Sequence, residues 1–333
     1  MTANLKKRVL LVIPVHDRPD DLASLLASLN KLILTHLELA VVVVDDGSPR
    51  PLDPKLASNF KKGRLLWYRN ETPQGPGPCR NLGAEAAASD YLWFLDSDTE
   101  VINPHTLGHM VAVLAADPQL AGVGGVLEDC RGALKIQELD ILPNFTFLYR
   151  AFPPEAYDPA YVDGIGTCNL LLGRQAFERA GGFWKRLKRD EDNDLCLTLS
   201  ALGYRFYQDA QTVVRHKCSP SGRQSGAFAH FTDPQHYFRD LLETRLLLLA
   251  KHRPGRLPLL PVLDSMLLPV IRYRLKTGTY ASSRLGLAVS GKSRLNLANF
   301  LLITSLQGYL RGLGLFFKYL LGWQNVPPEN LKP

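Results

Sequence analysis

Residues 91–100 read YLWFLDSDTE, an uninterrupted apolar run closed by two carboxylates one residue apart. The run Tyr91-Leu92-Trp93-Phe94-Leu95 is short and aromatic, which predicts a buried strand. One acid would suffice to release such a strand into a polar loop. Here there are two, Asp96 and Asp98, spaced by the small Ser97. Alone they read more readily as a solvated loop with a helix cap than as a functional pair.

The sequence before this stretch repeats its pattern. RVLLVIPV (8–15), LELAVVVVDD (37–46) and GRLLWYRN (63–70) are apolar strands. A helix is predicted over 18–32, with Leu22, Leu25, Leu26, Leu29 and Leu32 on one face and Pro19 near its start. A shorter Ala-rich helix is predicted over CRNLGAEAAAS (79–89). Continuous apolar strands separated by helices imply an α/β fold with a Rossmann-like, mostly parallel sheet flanked by helices. Ligands of such sheets bind beyond the carboxyl ends of the strands. Those ends are all polar here: PVHDRP, DDGSPR, NETPQGPGPCRN and DSDTE. No G-x-G-x-x-G follows the first strand, which argues against hydride transfer.

From residue 104 the pattern becomes mixed. It predicts a helix over 104–117, a strand over 120–128, and loop, strand and helix over 163–183 ending in a Gly-rich stop. EDNDLCLTLSALGY (191–204) is a helix that begins at its acidic end, and TVVRHKC (212–218) a short strand. A Ser/Gly-rich loop, 219–228, precedes a helix over 236–252. We therefore expect one domain over 1–252, in a first half (1–100) and a second half (101–252).

Composition bounds the partners. Apolar residues make up 46% and charged residues 21%, which excludes a mostly disordered chain. The basic opening MTANLKKRVLLVIPV breaks at Pro14 without a cleavage site, so no signal peptide is expected. The five cysteines (Cys79, Cys130, Cys168, Cys196, Cys218) show no CxxC spacing and imply neither zinc nor a disulfide framework. The net charge of +7 is uneven: residues 241–333 hold thirteen Lys or Arg against three Asp or Glu, leaving the first 240 residues at −3. The basic tail is Leu-rich and amphipathic, which favours an anionic membrane surface over nucleic acid. Its apolar segments, 257–271 and 297–323, are broken by Asp264 and prolines in one and by Arg311 and Lys318 in the other. Residues 253–333 are thus expected to lie in the membrane interface. Core packing or a homo-oligomer contact is the second reading, and a spanning helix the third.

The ordered set VVVVDDGS, CRNLGAEAA, YLWFLDSD, GGF and DEDNDLCLTLSALGY resembles the family 2 glycosyltransferases of the GT-A fold, over residues 8 to 216. The resemblance implies an inverting transfer from a nucleoside-diphosphate sugar: UDP is the first choice of donor nucleotide, GDP and dTDP the alternatives. It implies a divalent cation, Mg²⁺ or Mn²⁺, at Asp98 and Asp96, with Asp96 also near the ribose. Such ions prefer hard oxygen ligands and offset the charge of a departing diphosphate. Asp45 and Asp46 would recognise the nucleotide, with Pro14, Val15, His16 and Arg18 lining its pocket and Arg80 near base and pyrophosphate. Asp192 would be the catalytic base and Glu191 an acceptor contact, against the plainer reading that all these acids cap a helix. His216 would complete the metal site or meet a phosphate, and Arg223 would reach a phosphate from a closing loop. The Q-x-x-R-W segment of processive members is missing: Trp67, Trp93, Trp184 and Trp323 do not fit it. The resemblance is therefore to an enzyme that adds one sugar to a membrane-associated, lipid-linked saccharide at the cytoplasmic face of the membrane. It implies 1–100 as the nucleotide-binding half and 101–252 as the metal and acceptor half of the catalytic domain. The alternatives are a nucleotidyltransferase of similar fold, which should carry a Gly-rich lysine loop after the first strand, and a non-catalytic sugar- or lipid-binding relic.

Overall fold

The computed structural model describes residues 6–128, 134–135, 138–141, 147–150, 160–187, 189–219, 234–252, 310 and 313–314. The expectations for Arg223, Cys130 and nearly all of the tail lie outside these residues. The chain divides into two compact units, the first being Met1–Asp140, Leu148–Arg186 and Glu191–Gly222. The second comprises Ile141–Phe147, Leu187–Asp190 and Arg223–Pro333.

The first unit is built on a ten-stranded sheet. Four strands are parallel: β1 (Lys7–Val15), β2 (Leu37–Asp46), β3 (Arg64–Asn70) and β4 (Tyr91–Leu95). They are joined by α1 (Pro19–Ser28) and α2 (Pro76–Glu85). Then come β5 (Thr99–Val101), α3 (Thr106–Ala116), β6 (Leu120–Glu128) and β7 (Leu134–Lys135). Outside the main sheet, β8 (Glu138–Ile141) pairs with β9 (Phe147–Arg150). The remaining elements are β10 (Ala160–Val162), β11 (Asn169–Gly173), α4 (Arg174–Arg179), α5 (Glu191–Ala201) and β12 (Arg205–His216). The path is β10-β12-β6-β11-β4-β1-β2-β3, with β5 on β12 and β7 on β6. β11 runs antiparallel between β4 and β6, while β12 runs parallel to β6.

Two-residue alternation sorts the strands between two cores. Leu11, Ile13, Val41 and Val43 face one side, with Leu22, Leu25 and Leu26 of α1 and Met110 of α3. Leu10, Val12, Val42 and Val44 face the other, with Cys79 and Ala84 of α2, Phe177 of α4, and Leu195 and Leu199 of α5. The approach of α2 to β1 depends on Gly83, where a Cβ would stand 2.4 Å from a Val12 methyl. In the second unit, α6 (Pro234–His252) buries its run Leu246–Ala250.

Of the departures from the sequence expectation, which include the unexpected β8, β9 and β10 and an α1 that ends at Ser28, three bear on the site. α2 starts three residues early, at Pro76 behind a Gly75 N-cap with φ 95°, because proline suits a first helical turn. The strand expected over 212–218 is twelve residues long. The loop after β4 contains a further strand, β5, which pairs antiparallel with the end of β12 and sets His216 opposite Thr99. Among the described residues no helix is long and apolar enough to cross a membrane.

Candidate active site

The chemistry-bearing residues gather in the first unit, at the carboxyl ends of β1, β2, β4 and β12 and the amino end of α5. Asp96 opens the turn after β4, and both the amide (3.1 Å) and hydroxyl (2.8 Å) of Thr99 donate to its carbonyl. This turn buries Asp98 (1% exposed) and leaves the Asp96 side chain 32% exposed. The β5–β12 ladder then brings His216 to Asp98, Nε2 to Oδ1 at 3.3 Å. Beyond β12 the Lys217 amide donates to the Asp98 carbonyl (2.9 Å) and the Ser219 amide to Asp98 Oδ2 (3.0 Å).

Asp96, Asp98 and His216 offer ligand atoms within 4.8 Å of one another, the one such acid and histidine cluster among the described residues. Two carboxylates and an imidazole suit a divalent cation such as Mg²⁺ or Mn²⁺. Burial pushes the His216 imidazole down, but the hydrogen bond and charge of Asp98 outweigh it and raise it to about 10. A cation ligated there takes the place of that proton.

Arg80, in the second turn of α2 and 3% exposed, ties two carboxylates together. Its Nη2 meets Asp96 Oδ1 at 2.8 Å and its Nη1 meets Glu191 Oε1 at 2.7 Å, while the guanidinium lies 5.5 Å from the Phe183 ring centre. Burial works against the charge, but Asp96, Glu191 and Asp192 together raise the Arg80 pKa further. In the first turn of α5, Glu191, Asn193 and Asp194 are buried and Asp192 is partly exposed. The loop before it is held by Asn81, which exchanges two 2.8 Å bonds with the backbone of Phe183.

The DDGS acids are both committed to the loops around them. Asp45 is wholly buried and accepts from the Ser48 amide (3.0 Å) and hydroxyl (2.5 Å), the Leu52 amide (3.3 Å) and the Arg69 guanidinium. That fills its four acceptor positions. Asp46 receives the Asn70 amide and the backbone N–H groups of Gln74 and Gly75, each at 2.8 Å, and so fixes the entry to α2. Gly47 turns the chain at φ 64°, where a Cβ would press on Pro73 at 2.8 Å. At the end of β1, His16 Nδ1 is 2.8 Å from the Asp46 carbonyl. Arg18 reaches across to Asp98, Nη1 to Oδ1 at 3.2 Å. Pro14 is half-buried and Val15 buried beside them.

Residues 10–172, about half of the chain, match Glycosyl transferase family 2. The chain belongs to that family. A relative, the O-antigen biosynthesis protein RfbC of Myxococcus xanthus, is 28% identical over 231 residues, covering 65% of this chain and 18% of RfbC. The chain thus spans well under two thirds of that relative's length. In fold it resembles the mannosyltransferase PcManGT from Pyrobaculum calidifontis, solved in complex with GDP-Man and Mn²⁺. The TM-score is 0.54 at 15% identity, over 92% of this chain and 87% of that one. It also resembles GalNAc-T7, solved with UDP, GalNAc and Mn²⁺, with a TM-score of 0.59 at 15% identity. That likeness covers 93% of this chain and 56% of GalNAc-T7. These likenesses establish the GT-A fold.

In the first unit the structure brings together Asp96, Asp98, His216, Arg80, Glu191 and Arg18, of which Glu191 and His216 lie beyond the matched residues. Asp45 stands apart as a buried brace. Sequence reading missed the bond of Arg18 to Asp98 and the Arg80 clamp, since neither an arginine's reach nor its partner appears in local spacing. It also missed Arg69, whose alternation to the Asp45 side of β3 was the available signal.

Proposed function

We propose that this chain is an inverting glycosyltransferase that moves a single sugar from a nucleoside-diphosphate sugar to a hydroxyl of a membrane-associated, lipid-linked saccharide. The observation that carries this reading is the Asp96–Asp98–His216 cluster, linked through Arg80 to the acidic first turn of α5. Asp98, Asp96 and His216 would hold a divalent cation, which would supply charge neutralisation at the departing diphosphate. Asp192, the accessible acid of its turn, takes the proton from the acceptor hydroxyl as that oxygen attacks the anomeric carbon. Glu191, fixed by Arg80, orients the acceptor side. Asp46 serves the base or ribose from the end of β2, Asp45 holds the loop behind it, and Pro14, Val15 and His16 line that pocket. Arg223 serves the phosphates from the loop after β12.

The fold relatives were solved with GDP-Man, UDP and Mn²⁺, which supports a nucleotide-sugar donor and a divalent cation. Similarity to an O-antigen biosynthesis protein supports a surface-polysaccharide precursor as acceptor. The basic Leu-rich tail supports a peripheral position on the cytoplasmic leaflet, where such a precursor lies. The test is a hydrolysis and transfer screen over UDP-, GDP- and dTDP-sugars with Mn²⁺, with Asp98→Ala in parallel. Release of one nucleotide that chelator and Asp98→Ala both abolish is the expected result. Full turnover by folded Asp98→Ala in chelator overturns the metal-assisted reading.

A further inference from the structure

We infer that Arg18 is a resident counter-cation of the acidic loop: its guanidinium occupies Asp98 until a nucleoside diphosphate draws it away, so that metal and donor bind cooperatively. This inference rests on the metal-assisted reading above. Arg18 stands in the loop between β1 and α1, at the N-cap of α1, and its side chain makes no capping bond there. It points across to the other side of the site. Nη1 lies 3.2 Å from Asp98 Oδ1 and Nη2 donates to the Ser219 carbonyl at 3.2 Å. The side chain is 10% exposed and that of Asp98 1%, so the pair is shielded from water.

Asp98 has little unclaimed surface. Oδ1 faces Arg18 and His216, and Oδ2 accepts the Ser219 amide. A cation approaching this carboxylate therefore meets a positive charge already in place, and the repulsion lowers its affinity. Asp96 is matched in the same way by Arg80, but Arg80 is anchored on Glu191 as well and packed over Phe183. Arg18 stands on a loop and turns Nη2 to a neutral carbonyl, where Arg80 turns its second nitrogen to a carboxylate. Its planar fork matches a phosphate bidentately, and a diphosphate offers more charge than the Ser219 carbonyl does. Transfer of Arg18 to the diphosphate frees Asp98 for the metal, and metal on Asp98 frees Arg18 for the diphosphate. The two ligands then help each other by the same factor, as linkage requires.

The test measures Mn²⁺ binding to the full chain by the electron paramagnetic resonance signal of free Mn²⁺, alone and with UDP or GDP. In the unaltered protein Mn²⁺ alone binds weakly, and the matching diphosphate tightens it by about tenfold, within the usual range of site coupling. Arg18→Gln is expected to bind Mn²⁺ alone about tenfold more tightly and to lose most of the tightening by diphosphate. Arg18→Lys keeps the charge without the fork, so it should leave Mn²⁺ alone weak while reducing the coupling. That variant decides the matter if Arg18→Gln does not fold. If Arg18→Gln leaves Mn²⁺ affinity unchanged or weaker while the unaltered protein retains its coupling, Arg18 is a static tie. The inference then fails and the metal-assisted reading stands. If the unaltered protein and Asp98→Ala bind Mn²⁺ alike with either diphosphate present, the metal reading fails and this inference with it.

Discussion

Replacing Arg80 by methionine keeps much of the side chain's length and strips the cation from between Asp96 and Glu191. The two losses are unequal. Asp96, with a side chain 32% exposed, rehydrates, whereas Glu191 at 8% is left charged in the interior. Removing one partner of a buried pair costs about 3–5 kcal/mol. The exposure of Asp96 places this case near the low end, about 3 kcal/mol, and the lost contact with Phe183 adds about 0.5 kcal/mol. For a unit of this size that corresponds to a fall in Tm of about 6–14 °C. Thermal unfolding of Arg80→Met, Glu191→Gln and the double variant forms the cycle that isolates the pair. The double variant strands no buried charge, so it should regain about 1.5 kcal/mol or more over Arg80→Met. An Arg80→Met protein within about 1 kcal/mol of the original, or a double variant no better than the single, refutes the clamp.

Two further outcomes are expected. Asp192→Asn should bind UDP or GDP as before and turn over about 10²–10⁴-fold more slowly, the usual loss with a general base; normal turnover in it, with Glu191→Gln inactive, exchanges the two roles. Asp45 is pushed up by burial, but bonds from Ser48, Leu52 and Arg69 hold it below the ordinary value of 3.8. Its contribution is therefore present above that value and lost as pH falls through the lower folded one. The Tm gap between the original protein and Asp45→Asn should be full near pH 6 and close below about pH 4, and a gap constant down to pH 3 refutes this.

The parallel half of the sheet was legible because β1, β2 and β4 are long apolar runs whose ends are marked by charged or proline-rich turns. The reading of β6 over 120–128 matched to the residue. β5 was hidden because three residues inside an acidic turn carry no periodicity. Most of β12 was missed because RFYQDAQT mixes buried Gln208 and Asp209 with exposed positions, so its alternation is masked. The antiparallel direction of β11 leaves no local trace in NLLLG. At the site, Asp96, Asp98 and His216 were expected together through the family resemblance, whereas the β5–β12 ladder that joins them had no trace in the sequence. Asp45 was readable as a carboxylate at a strand end, but the four donors around it were not, since they come from the following turn and from β3.

The long-range bonds of the site also set an order of events during synthesis. Arg80 waits 111 residues for Glu191, and Asp98 waits 121 for Ser219. At about 5–20 residues per second, a ribosome needs roughly 6–24 s to cover the longer interval. Through that time the strands from β1 to β4 can pack around their leucines and valines while the acidic turn has only Arg18 and Arg80 within its own part of the chain. The nascent half-protein is thus a folded surface without a working centre. It becomes competent only when β12 emerges and zips onto β5, which makes the last strand of the sheet the step that switches the active site on.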